Sequence, residues 1–149
     1  MSSGTGLAVA VTLTAGLAGG VQAAVMGELG ERVGIVPALA FATLVSTVLA
    51  LAALVVWERS FGGIRASLEQ PVWLWLGGLM GLYIVLAITV AAPRIGVAAT
   101  VGLVIAGNLV MASAIDRWGL LGQDEIAITW RRLLGLALLA AGSVLTLRA

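Results

Sequence analysis

Residues 71–122 read PVWLWLGGLMGLYIVLAITVAAPRIGVAATVGLVIAGNLVMASAIDRWGLLG, and this stretch decides the fold. It holds two uncharged runs, Gln70–Pro93 and Ile95–Ile115, separated by the single charge Arg94. A helix needs roughly 20 apolar residues to cross a hydrocarbon core of about 30 Å, and each run is long enough. Pro93 and Gly96 stand between them, where proline ends a helix and glycine permits a reversal. The stretch therefore reads as a transmembrane hairpin turning at Pro93-Arg94-Ile95-Gly96, with its returning helix carrying Asn108.

The rest of the chain agrees with a membrane solvent. Of 149 residues, 61% are apolar and 10% charged, against about 25% charged in an ordinary soluble domain. A soluble core of this size could not bury so much apolar surface. The net charge of +1 argues neither for a nucleic-acid nor for an acidic partner, and no nucleic acid is expected. The chain has no cysteine, histidine or lysine, so the commonest general base and metal ligand are missing. No catalytic residue, metal site or cofactor is expected, and an enzyme is the least favoured class.

Five spans follow from the pattern: about 5–26, 36–56, 72–92, 96–115 and 130–148, forming one all-α transmembrane domain over residues 1–149. The N-terminal MSSGTGLAVAVTL has no basic residue ahead of its apolar run, which reads as a retained first helix and not a signal peptide. Trp57, Trp73, Trp75 and Trp118 lie at span ends, as in an aromatic belt. Ser60–Gln70 is a polar connection with room for a helical turn. In the fifth span Arg131 and Arg132 can snorkel, and the uncharged run Leu133–Leu147 is short for a full crossing. No internal repeat is found within the 149 residues.

Polar and small residues mark the interior faces. On the first span Thr12, Ala15, Gly16, Gly19, Gln22, Ala23 and Met26 share one face, which places Gln22 inside. On the second, Thr43 and Ser46 share a face with small residues, either lining a pathway or bonding the preceding turn. Tyr83 lies too deep to anchor at the interface, so its hydroxyl needs a partner or a wet cavity. Asn108 must face protein or water, since an amide in lipid is costly. Gln22, Tyr83, Asn108, Ser46 and Thr43 are thus the solute-pathway candidates. Glu28, Asp116 and Arg94, near helix ends, are candidates for gating or ion coupling, and Glu28 and Arg32 stand at i and i+4 for an ion pair. Gly16, Gly19, Gly77, Gly81, Gly135 and Gly142 are the expected helix-packing positions, with Gly77 and Gly81 forming a GxxxG pair.

The order P-x-W-x-x-x-G-G-x-x-G-x-x-x-V from Pro71, then A-P-R-I-G, A-G-N and I-D-R-W-G-L-L-G up to Gly122, resembles the YdcZ-like branch of the drug/metabolite transporter (DMT) superfamily, with a weaker echo in Gly16–Leu29. Met26 stands where the family usually carries asparagine, and Asn108 where it carries glutamine. The resemblance implies a half-size, five-helix transporter, a regular acidic position at Asp116, and a dimer contact through the last helix. Full-length relatives look like two such halves fused.

Five spans put the termini on opposite sides. With the N-terminus in the cytoplasm, Arg59, Arg65, Arg117, Arg131 and Arg132 lie inside and Arg32, Arg94 and Arg148 outside, a weak preference under the positive-inside rule. Two units of opposite orientation would make an inverted-repeat transporter with its site near the midplane. The expected protein is a multi-pass component of a bacterial-type cytoplasmic (inner) membrane. It would export or exchange a small, weakly polar metabolite or drug-like solute by alternating access, as an antiparallel homodimer or paired with a homologous subunit. The alternatives are a small dual-orientation ion channel and a non-transporting scaffold or accessory subunit.

Overall fold

The computed structural model describes residues 3–122, 124–126 and 129–147. Helices α1 (Ser3–Val33) and α2 (Ile35–Trp57) form a first hairpin, and the short α3 (Gly62–Leu68) fills the polar connection. A 3₁₀ turn at Val72–Trp75 leads into α4 (Leu76–Ile95), which pairs with α5 (Val97–Trp118), and α6 (Trp130–Leu145) closes the chain. With almost no charge along these runs, a helix is the one local structure that satisfies every main-chain polar group without water. Hydroxyls in the spans do likewise: Thr12 donates to the Ala8 carbonyl at 2.8 Å and Thr89 to that of Val85 at 2.7 Å.

Four segments are long and apolar enough to cross a membrane, Gly4–Val33, Ile35–Trp57, Val72–Ile95 and Val97–Trp118, and a shorter apolar helix spans Leu133–Leu145. The 16 residues of α6 reach about 24 Å, short of the ~30 Å core. Arg148, the expected end of that span, lies outside the described residues.

Two boundaries differ from the sequence expectation. α1 continues past Met26 to Val33, where Gly27 and Gly30 pack against α4 and Arg32 Nη2 reaches Glu28 Oε1 at 2.7 Å one turn away. α4 runs through Pro93 to Ile95, and Gly96 alone makes the turn. Pro93 cannot donate to the Thr89 carbonyl, yet the next turn holds: Gly96 donates to Ala92 at 3.0 Å, and Arg94 Nη1 to the Val90 carbonyl at 2.7 Å.

Packing is confined to one end. α1 lies against α2, α4 and α5, while α2 also meets α4, and α5 meets α4 and α6. The buried cluster of Ala23, Met26, Ala38 and Ile88, flanked by Leu29, Val85, Val97 and Val101, sits close to the turns at Gly34 and Gly96. Away from that end the helices part. Residues 4–18 of α1, 44–52 of α2 and 76–83 of α4 are exposed throughout.

Candidate solute pathway

The closed end is built on a seam between α1 and α4. A Cβ placed on Gly27 would lie 3.2 Å from Ala92 Cβ, and one on Gly30 would lie 2.7 Å from Thr89 Cγ2. At Gly30 that is closer than a Cβ can come, and at Gly27 the neighbour would have to give by a few tenths of an ångström, so small residues let α1 and α4 approach closely. Thr89 is buried to 1% exposure, so its methyl has nowhere to move. Two recesses flank the seam. One of about 270 Å³ is lined by Gly30, Glu31, Ile35, Thr89, Val90, Pro93 and Arg94. The other, about 160 Å³, is lined by Ala24, Gly27, Glu28, Glu31, Ala92, Pro93 and Val97.

The open end holds a cleft of about 540 Å³ between α2 and α4, lined by Thr43, Ser46, Gly78, Gly81, Leu82 and Val85. Thr43 donates its proton to the carbonyls of Leu39 and Ala40, both at 2.9 Å, and Ser46 to that of Ala42 at 3.0 Å. The two hydroxyls therefore bond their own helix and present only oxygen lone pairs to the cleft. Gly78 and Gly81 leave its α4 wall without side chains, and no lining residue is charged. The cleft offers an apolar surface with a few acceptors.

The other pathway candidates lie apart from this cleft. Gln22 is exposed in the single chain, beside the buried Ala23, so the interior face of α1 is narrower than the sequence pattern implied. Tyr83 is 63% exposed. Asn108 is exposed, and its side-chain amide makes no hydrogen bond among the described residues. Glu28 and Arg94 both sit at the closed end, Glu28 in its ion pair with Arg32 and Arg94 in the larger recess. Asp116 is half-buried at the end of α5, and its main-chain carbonyl accepts from the Ile126 amide at 2.7 Å.

The glycines singled out from sequence play no part in the seams within the chain. A Cβ on Gly16, Gly19, Gly77, Gly81, Gly135 or Gly142 would meet nothing within 4 Å. Close approach occurs at Gly27 and Gly30, and again where α6 meets α5: a Cβ on Gly102 would lie 2.8 Å from Oγ of Ser143, itself 5% exposed. The sequence signal for these positions is weak. Gly27 and Gly30 are three apart beside a charged turn, and Ser143 is a lone hydroxyl in an apolar run.

Among the described residues, four apolar helices long enough to cross a membrane and a fifth shorter one make this a multi-pass membrane protein. Over residues 7–145 the chain matches the family described as "Putative inner membrane exporter, YdcZ". It belongs to that family, the YdcZ-like branch of the DMT superfamily, and is a multi-pass inner-membrane transporter. No curated protein and no solved structure matches the chain.

Proposed function

We propose that this chain is a half-size exporter that acts as an antiparallel homodimer and moves a small, uncharged or weakly polar solute by alternating access. The observation carrying this reading is the uneven packing of one chain. Its helices are closed at the Gly34/Gly96 end and splayed at the other, and Gln22 and Asn108, each twelve residues from its turn, and the α2–α4 cleft stay uncovered. An amide facing hydrocarbon is unfavourable by several kcal/mol. A second copy of opposite orientation would set its closed end beside this open one and cover those groups, giving the midplane site of an inverted-repeat transporter. The cleft's lack of charge and its acceptor-only hydroxyls favour a solute with an apolar body and at least one hydrogen-bond donor.

Orientation tests the reading directly. The chain has no cysteine of its own, so Ser2→Cys and Ala149→Cys can each be labelled from either side of the membrane with an impermeant thiol reagent. Comparable labelling of each site from both sides is expected. Labelling of Ser2→Cys from one side only and of Ala149→Cys from the other only excludes the antiparallel homodimer and turns the search to an oppositely oriented partner chain.

A further inference from the structure

We propose that the α1–α2 and α4–α5 hairpins are two copies of one unit, related by a two-fold axis along the helices, and that the solute site therefore has a second lobe between α1 and α5 in which Asn108 takes the place of Ser46. The second lobe rests on the transporter reading above. The repeat rests on backbone geometry, contacts and residue identities, independently of that reading.

The two turns are the same turn. Gly34 has φ 93° and ψ 156°, and Gly96, 62 positions later, has φ 87° and ψ 154°. Each glycine donates to the carbonyl four residues back at 3.0 Å (Gly30, Ala92), and each accepts from the amide four residues on at 3.1 Å (Ala38, Thr100). The same shift of 62 carries Gly16-Leu17 and Gly19 onto Gly78-Leu79 and Gly81, and Arg32 onto Arg94. It also carries burial. Met26 at 4% maps to Ile88 at 6%, and Ala38 at 0% to Thr100 at 2%.

The contacts between the hairpins are reciprocal, as a two-fold axis requires. Gly27 meets Ala92 while Gly30 meets Thr89, and the shift pairs Gly27 with Thr89 and Gly30 with Ala92. The contact of α2 with α4 has its counterpart in that of α5 with α1. The recesses exchange as well. Gly27, Glu28, Glu31 and Val97 of the smaller one map onto Thr89, Val90, Pro93 and Ile35 of the larger. Parallel repeats about an axis along the membrane normal are an established way to build a transporter.

The same operation applied to the α2–α4 cleft carries Ser46 to Asn108, Gly78 to Gly16, Gly81 to Gly19 and Val85 to Ala23. Gly16 and Gly19 have open space above them, and Asn108 is exposed, so the lobe is unobstructed. The two polar groups differ in kind. Ser46 spends its proton on Ala42 and can only accept, whereas the Asn108 amide can both donate and accept. The matching ligand class is an uncharged solute with an apolar body bearing hydroxyl, amide or carbonyl groups.

The test is water access at two equivalent points. A thiol alkylates only as the thiolate, which forms in water and not against lipid. Ser46→Cys, Asn108→Cys and a reference at Leu17→Cys, a 74% exposed leucine expected to face lipid, are reacted with N-ethylmaleimide in native membranes. Both Ser46→Cys and Asn108→Cys are expected to react at least about tenfold faster than Leu17→Cys, because only they sit on water-filled lobes. Fast reaction at Ser46→Cys with Asn108→Cys as slow as the reference overturns the second lobe and leaves the transporter reading intact. Slow reaction at Ser46→Cys overturns the cleft itself, and the second lobe with it. All three positions are exposed, so none of the substitutions disturbs the buried seam.

Discussion

At the scale of single residues, the closed end depends on where a Cβ is absent. Gly30 faces the methyl of Thr89, a β-branched side chain held by its own hydrogen bond to Val85 at 2.7 Å. Gly30→Ala is therefore expected to destabilise the chain by about 1–3 kcal/mol, the usual range for overpacking. Thr89→Ser deletes the methyl and keeps the hydroxyl, so the double variant should recover most of the loss. Unfolding midpoints in detergent for the four proteins of this cycle give the coupling. Independent effects of the two substitutions would mean that the helices do not meet there. At Gly34 and Gly96 the reason for glycine is conformational: their φ of 93° and 87° lies in a region that side-chain-bearing residues enter only at about 1–3 kcal/mol. Gly34→Ala and Gly96→Ala should each cost that much, and by similar amounts because the two turns match. A cost at only one of them, in the same unfolding assay, would show that the turns are not equivalent.

At the scale of elements, α6 is the helix that breaks the two-fold pattern. It packs on α5 through Gly102 and Ser143, and the corresponding residue of α2, Ala40, is exposed. Gly102→Ala is expected to lift α6 from α5, because the new Cβ meets Ser143 Oγ at 2.8 Å. Limited proteolysis before Trp130 should speed up in that variant and return toward normal when Ser143→Gly is added. Gly107→Ala on the same helix, with open space above it, should leave the cleavage rate unchanged. Unchanged cleavage in Gly102→Ala would place α6 elsewhere.

At the scale of the whole molecule, one chain leaves Asn108 and the α2–α4 cleft uncovered. Ser46 is exposed and bonded only to its own helix, so Ser46→Phe should alter stability by no more than about 0.5 kcal/mol. The new ring would project into the ~540 Å³ cleft and narrow it between α2 and α4. Saturable solute flux in proteoliposomes is expected to fall by about tenfold or more, equivalent to about 1.4 kcal/mol. Leu17→Phe on the outer face of α1 should be neutral. Flux that survives Ser46→Phe would move the pathway away from α2 and α4. Discrete unitary currents in place of saturable flux would favour a channel.

Sequence by itself determined the membrane class and the order of the apolar helices, while the fifth of them, expected as a span, is a shorter helix in the fold. Class and order follow from runs of apolar residues measured against a fixed bilayer thickness, which needs no knowledge of what touches what. The Glu28–Arg32 pair was legible for the same reason, since residues four apart on a helix are neighbours in any fold. Thr43 and Ser46 stood out as polar groups in apolar runs, but that they share a cleft with Gly78 and Gly81 was decided by the tertiary structure. So was the choice of Gly27, Gly30 and Gly102 from 20 glycines. A glycine permits close approach without specifying a partner, and only the crossing of two helices selects one. The repeat of Gly34 in Gly96 escaped a linear reading because few identities survive the shift of 62 in helices whose outer faces need only be apolar. The matching backbone turns and the reciprocal contact bring it out, and neither exists until the chain is folded.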